Sequence, residues 1–265
     1  MGHAFPVPMP SLSIVILARN EARNIVGCVR SARFADEIVV LDSGSTDGTP
    51  ELARAEGARV SASTDWPGFG PQKNRALALA TGDWVFSLDA DERITPDLRE
   101  QMLQAIAQSG GNVAFAVHRL SSYCGRDMRH SGWYPDRIVR LFRRGAARFS
   151  DDLVHERVLV DGPVGQLRGE LLHRSMPDFE AVLDKVNRYS TAGAQALAAR
   201  GRRASPATAL GHGLWAFVRT YVVQRGFLDG AMGLALAISN AEGTYYRYLK
   251  LWLLQRDRAT GTPHP

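Results

Sequence analysis

An alternation of short apolar runs with amphipathic stretches, sustained over the first part of the chain, does most to restrict the folds open to it. Residues 12–18 read as a buried strand, 37–42 as a second, 59–61 as a short third and 84–88 as a fourth. Helical patterns lie between them. Asn20 is the expected N-cap of a helix over 21–32, with Ile25, Val26 and Val29 on its inner face. Thr49 is the expected cap of the next, with Pro50 in its first turn and Gly57 at its end. A loop holding Trp66, Pro67, Gly68, Phe69 and Gly70 precedes a helix predicted over 72–80, and Thr95-Pro96 begins another. This order predicts an α/β fold: a Rossmann-like, mostly parallel sheet with right-handed crossovers, flanked by helices. Ligands of such sheets bind beyond the carboxyl ends of the strands. Ala18-Arg-Asn-Glu21, Asp42-Ser-Gly-Ser45 and Asp89-Ala-Asp91 all fall there, and are expected to converge in one crevice.

The character changes further on. Short strands (113–117 and 138–142) sit between loops dense in Gly, Arg and aromatics, and from Asp178 the pattern is helical: 179–199, 206–224 and 227–254, with a basic break at Gly201-Arg-Arg-Ala-Ser-Pro206. The expected division is a sheet domain over 1–176 and a C-terminal helical extension over 177–265. A chain of 265 residues with 45% hydrophobic and 22% charged content can bury a normal core. Its net charge of +5 suits anionic partners such as nucleotide diphosphates, phosphorylated glycolipids or an anionic membrane surface. Nucleic acid fits less well, because the basic residues are scattered and no recognition motif is visible. Cys28 and Cys124, the only cysteines, read as reduced thiols of a cytoplasmic protein. The N-terminal stretch lacks the basic and apolar regions of a signal peptide, and no uncharged apolar stretch approaches the roughly 20 residues of a spanning helix.

Asp89 and Asp91 follow an apolar strand, and alternation in an extended chain points both to one side. Like charges so placed repel unless a cation or donors lie between them. A hard divalent ion, Mg²⁺ or Mn²⁺, suits such oxygen ligands and often also holds phosphate oxygens. An exposed acidic turn is the plainer alternative.

Four segments carry a resemblance: Ala18-Arg-Asn-Glu21, Leu41-Asp-Ser-Gly-Ser-Thr-Asp-Gly48, Gly70-Pro-Gln-Lys-Asn-Arg-Ala76 and Gly82-Asp-Trp-Val-Phe-Ser-Leu-Asp-Ala-Asp-Glu92. Their order and spacing resemble family 2 inverting glycosyltransferases of the GT-A fold. Arg129-His-Ser-Gly-Trp-Tyr-Pro-Asp136, Leu141-Phe-Arg-Arg144, Val154-His-Glu156, Leu172-His173 and Lys185-Val-Asn-Arg-Tyr-Ser190 are similar to the branch containing lipopolysaccharide core β-glucosyltransferases. The resemblance implies a UDP-sugar donor. Ala18, Asn20, Glu21, Asp42, Ser43, Lys73, Asp89 and Ala90 would then line the nucleotide pocket, Asp42 by accepting from the uracil N3–H. Asp42 can equally cap the turn at Ser43-Gly44-Ser45, and Lys73 can be a solvated helix face. Asp89 would contact the ribose or the metal shell, and Asp91 would ligate a metal on the diphosphate, with His173 as a further ligand or a structural residue. Inverting transfer needs a base for the acceptor hydroxyl. Glu156 is the choice, with Asp151, Asp152 and Asp136 as competitors and an ion pair to nearby Arg as its other reading. Trp133, with Tyr134, would form a platform for the donor sugar, or pack in a core.

In the C-terminal third, Leu214, Trp215, Phe217, Val218, Tyr221 and Val222 make an apolar face beside Arg219 and Arg225, and a second aromatic and basic cluster runs from Tyr245 to Trp252. This suits peripheral contact with an anionic membrane, or a helical subdomain with a solvated basic face. The resemblance thus implies transfer of a hexose, glucose foremost, to a lipid-linked saccharide of the lipopolysaccharide inner core, at the cytoplasmic face of the inner membrane. A polyprenyl-phosphate, capsule or exopolysaccharide acceptor, and a noncatalytic nucleotide-sugar-binding protein, are the alternatives.

Overall fold

The computed structural model describes residues 9–151 and 157–260. Strand β1 (Leu12–Ala18) leads to α1 (Ile25–Ala32), β2 (Glu37–Asp42), α2 (Thr49–Ala55), β3 (Arg59–Ala62), α3 (Phe69–Ala78) and β4 (Trp84–Asp89). A turn at residues 90–91 enters β5 (Glu92–Ile94) and then α4 (Pro96–Ala107). The shorter-range strands follow: β6 (Ala114–Tyr123), β7 (Arg126–Asp127), β8 (Asp136–Arg143), β9 (Ala147–Phe149), β10 (Val158–Val160) and β11 (Val164–Met176). The chain closes with α5 (Phe179–Ala199), α6 (Pro206–Val218), a π-helical turn (Arg219–Val223), a 3₁₀ turn (Gly226–Asp229) and α7 (Gly230–Thr260). Two compact units result. One holds the chain up to Arg119 and Asp136–His173; the other holds Leu120–Pro135 and the chain from Arg174 onward.

In the sheet unit, β3, β2, β1 and β4 are parallel neighbours, as the strand–helix alternation predicts. Beyond β4 the order continues β8-β6-β11-β5, and the pairings of β4 with β8, β8 with β6, and β11 with β5 are antiparallel. The switch follows from the sequence after α4, where the strands are no longer separated by crossover helices. Side chains alternate across the parallel half. Ile14, Ile16, Val40, Phe86 and Leu88 pack with Ile25, Cys28 and Val29 of α1 and with Leu98 and Met102 of α4. Val15, Val39, Leu41 and Val85 face the other way, against Ala76 and Ala80. A sheet covered on both faces needs apolar residues at every strand position, which is why these strands read as continuous apolar runs.

Helix starts depart from expectation at three places. Asn20 is not a cap: it holds φ +55°, a left-handed conformation Asn tolerates, and α1 begins only at Ile25. Gly48, with φ +83°, occupies the cap position of α2, and Thr49 is its first residue. Helix α3 starts at Phe69 directly after Gly68, because Pro71 is compatible with a first turn. Thr95 caps α4 as expected, accepting from Leu98 N.

In the helical unit, Asp178 and Ser205 cap α5 and α6 by accepting from Ala181 N and Thr208 N. Tyr123, Met128, Met176, Val182 and Leu236 form its core, with Trp133 packed against them. Lys250 of α7 donates to Asn187 Oδ1 (2.7 Å), Ser190 Oγ (2.8 Å) and Thr191 Oγ1 (2.8 Å), tying α7 to α5. Leu214, Trp215 and Val222 are exposed, together with Leu210, Val223, Phe227 and Leu228. Phe217 and Tyr221 are half-buried and stack on each other at 5.5 Å. Among the described residues no helix is long and apolar enough to cross a membrane.

Candidate active site

Strand register brings three of the sequence-selected residues to one edge. Ala18 of β1 is opposite Asp42 of β2, and Leu17 is opposite Asp89 of β4. The carboxyl ends of three adjacent strands therefore line up, and each is followed by a polar loop.

The first two loops are interlocked. Asn20 N donates to Ser45 Oγ (2.8 Å), and Asn20 Oδ1 accepts from Thr46 N (2.8 Å). Glu21 N donates to Thr49 Oγ1 (2.8 Å) and Ala22 N to Asp47 Oδ2 (3.0 Å). Buried Asp42 caps its own turn: Oδ2 accepts from Gly44 N (3.1 Å) and Ser45 N (3.0 Å), and Oδ1 from Ser45 Oγ. Gly44 supplies the φ of +81° this turn requires. Ser43 N donates to Ala18 O (2.9 Å), and Ser43 Oγ accepts from Gln72 Nε2 of α3 (2.9 Å). Burial pushes the Glu21 carboxyl above its ordinary range; a hydrogen bond from Asn24 opposes this, and the nearby charges of Asp91 and Asp47 add to it.

Asp89 and Asp91 have different partners. Alternation fails because residues 90–91 form a turn and not extended chain. Asp89 accepts from Lys73 Nζ (3.0 Å) and Arg140 Nη2 (2.6 Å). Burial opposes its ionisation, but these two cations prevail and hold its carboxyl well below the usual range. Lys73 is thus not a solvated helix face: it is buried and also lies 5.2 Å from the Phe149 ring centre. Asp91, partly exposed, points instead to His173, whose Nε2 lies 3.2 Å from Asp91 Oδ2. The antiparallel register of β11 on β5, with His173 opposite Glu92, makes that meeting. Ala90 between the two carboxylates is buried. Arg93 holds the turn by donating to Ala90 O (3.1 Å) and Glu92 O (2.7 Å), and to Asn24 O (2.7 Å).

Three residues absent from the sequence-derived set complete this edge. Glu92 is fully buried; its carboxylate accepts from Asp89 N (3.0 Å) and from Arg140 Nη2 (2.8 Å). Burial pushes Glu92 up, Arg140 opposes, and the neighbouring Asp89 adds to the rise. Arg140, itself buried, therefore clamps two carboxylates at once. Arg119 approaches Glu92 (3.8 Å) and pairs with Asp136 (2.7 Å). Asp136 is consequently engaged by an arginine, whereas Asp151 is exposed. Glu156 and Asp152 lie outside the described residues. Gly70 passes so close to Ser150 O that a Cβ would overlap it, which brings α3 against the segment ending at Asp151.

Trp133 belongs to the helical unit, where its ring meets Tyr123 edge-on (6.2 Å). The core-packing alternative thus describes part of its surroundings.

Among the described residues no group of three His, Cys, Asp or Glu side chains could by itself hold a metal ion. The Asp91–His173 pair nevertheless fits a cation that takes its remaining ligands from a bound molecule: a carboxylate oxygen and an imidazole nitrogen converge, and both side chains retain solvent access. Lys73 and Arg140 each engage one oxygen of Asp89, so Asp91 is the less encumbered carboxylate of the two.

A mixed sheet whose parallel half gathers polar loops at the carboxyl ends of its strands defines an α/β protein of the class in which ligands bind beyond those ends. The sequence profile of "Glycosyl transferase family 2" matches residues 13–159, and the chain belongs to that family. It is 35% identical to the lipopolysaccharide core biosynthesis glycosyltransferase LpsC of Rhizobium meliloti, over 74% of this chain and 75% of that protein. It is 27% identical to an uncharacterised glycosyltransferase of Rickettsia typhi, over 92% and 87%. Among solved structures, glucosyl-3-phosphoglycerate synthase of Mycobacterium tuberculosis, crystallised with Mn²⁺, UDP and glucosyl-3-phosphoglycerate, aligns with 71% of this chain and 81% of its own at 21% identity and a TM-score of 0.48.

Proposed function

We propose that this family 2 glycosyltransferase moves a hexose, glucose foremost, from a UDP-sugar to a saccharide of the lipopolysaccharide inner core, with inversion. The observation that carries the reading is the carboxyl edge itself. Ala18, Asp42 and Asp89 are aligned there by register, and the Asp91–His173 pair lies directly beyond Asp89. The relation to LpsC supports the acceptor class.

In this reading the interlocked loops of Asn20, Glu21, Asp42 and Ser43 wall the nucleotide, with Ala18 contributing backbone and Ala90 leaving room. Lys73 and Arg140 keep Asp89 ionised and its orientation fixed, so that Asp89 steadies the nucleotide. Asp91 and His173 would hold Mg²⁺ or Mn²⁺, which when bound supplies positive charge to offset that developing on a departing diphosphate. Glu156 takes the proton of the acceptor hydroxyl, a role for which the Arg119-bound Asp136 is poorly placed. Trp133 stacks on a sugar face. The exposed Leu214, Trp215 and Val222, beside Arg219 and Arg225, rest on an anionic membrane surface.

The test is release of UDP from UDP-glucose in the presence of Mn²⁺ and a truncated lipopolysaccharide core. Asp91→Ala is expected to lower the rate by about 10²-fold or more, as is removal of metal with a chelator. Tight UDP-glucose binding with no release under any acceptor would favour a noncatalytic binder. Sedimentation with anionic vesicles, reduced by Trp215→Ser, checks the membrane contact.

A further inference from the structure

Helix α1 keeps a glycine in its interior that its backbone does not require. Gly27 holds no left-handed φ, and an interior glycine weakens a helix relative to alanine. A close approach accounts for it. A Cβ at Gly27 would lie 2.7 Å from Arg93 Nε and 3.0 Å from Arg93 Nη2. The guanidinium of this β5 residue therefore sits against the helix where a side chain would begin.

From that seat Arg93 reaches two loops at once. Its Nη1 donates to Ala90 O (3.1 Å) and Glu92 O (2.7 Å), on either side of Asp91, and its Nη2 donates to Asn24 O (2.7 Å). Asn24 in turn donates from Nδ2 to Glu21 Oε2 (2.8 Å) and from its backbone N to Glu21 O (2.8 Å). One side chain thus spans from the turn of Asp91 to the loop of Glu21. Two further bonds from α1 hold the flanks of that turn: Cys28 Sγ donates to Asp89 O (3.4 Å), and Ser31 Oγ accepts from Ile94 N (3.2 Å). Strand β5 is three residues long and lies at the sheet edge, with Glu92 opposite His173 and Arg93 opposite Leu172. A guanidinium presents several donors in one rigid plane, so a single group fixes the spacing of three carbonyls.

We propose that Arg93 is a positioning residue: seated against Gly27, it sets the turn that carries Asp91 relative to the strand paired with His173, and so sets the affinity of that pair for a divalent cation. The inference rests on the cation role proposed above for Asp91 and His173. Arg93 ligates nothing in this reading. It acts through Ala90 O and Glu92 O, as outer partners of metal ligands commonly do.

Gly27 supplies the variant that separates this role from a structural one. In Gly27→Ala the new methyl displaces the flexible end of Arg93, while the charge stays and α1 gains a better helix former. The readout is Mn²⁺ binding to the full-length protein in the presence of UDP, followed by electron paramagnetic resonance. Arg93→Ala is expected to weaken Mn²⁺ binding by at least about tenfold, and Gly27→Ala by about three- to tenfold. The melting temperature of Gly27→Ala should be unchanged or raised. Because Gly27 acts through Arg93, the double variant should bind Mn²⁺ within about twofold of Arg93→Ala alone. Unmoved affinity in both single variants, additive losses in the double variant, or a loss in Gly27→Ala matched by a fall in melting temperature would each overturn the proposal. If Asp91→Ala abolishes binding while the Gly27 and Arg93 variants leave it unmoved, the cation site stands and only the positioning role falls. If Asp91→Ala binds Mn²⁺ as tightly as the native protein, the cation reading falls and this inference with it.

Discussion

In the sheet unit the charges beyond β4 answer one another, whereas the core of the helical unit is closed by apolar and aromatic side chains. Arg140 lies between Asp89 and Glu92, and Lys73 completes the set on Asp89. Such a closed network fixes geometry and leaves little positive charge over. Tyr123, Met128, Met176, Val182 and Leu236 instead hold their unit by packing. A network of matched charges fixes direction as well as distance, and here it is scaffolding for a neighbouring group, Asp91.

That contrast breaks most sharply at Arg140. Arg140→Leu leaves the buried Glu92 and the partly exposed Asp89 without their shared cation, and a loss of about 3–5 kcal/mol in urea unfolding is expected. A loss below about 1 kcal/mol would mean that the network closes by other partners and is not scaffolding. A gentler probe is Glu37, also of the sheet unit. Burial favours its neutral form, but donors on Ser13, Arg59 and Thr81 outweigh this and bring its pKa from 4.5 to about 2. A carboxyl held lower in the folded state contributes stability that is fully present above its unfolded pKa and fades as pH falls through the folded one. Unfolding followed between pH 5 and 2 should lose this contribution in the native protein, and the slope should flatten in Glu37→Gln. The smallest effect is expected in the helical unit. Lys250→Met should cost about 1 kcal/mol, because its partners Asn187, Ser190 and Thr191 are neutral. A loss above about 3 kcal/mol would move Lys250 into the scaffolding class.

The strands of the parallel half were legible because a sheet covered on both faces demands unbroken apolar runs, and their ends located Ala18, Asp42 and Asp89 at one edge. The use of Asp89 was not legible. Arg140 lies on a distant strand whose pairing with β4 is antiparallel, and nothing local announces that its side chain returns to the turn. Glu92 stood in plain view beside Asp91, but a fully buried acid is recognisable only once its cation is placed. The separate partners of Asp89 and Asp91 were hidden too, because residues 90–91 form a turn that the apolar run before them does not announce. Asn20 misled for a related reason: Asn is as much at home in the left-handed region as at a helix start, and the tertiary bond from Thr46 decided between them. His173 beside Asp91 was foreseeable from the resemblance alone, since β5 is only three residues long.

The interlocking of the loops after β1 and β2 carries a consequence for change as well as for structure. Five hydrogen bonds join residues 20–22 to residues 45–49, so neither loop can open, or be redesigned, without the other. They form one inheritable module. A substitution that reshapes Asn20 to admit a different base must be matched in the Ser45 to Thr49 segment, and the two loops are expected to vary together as this edge acquires new ligands.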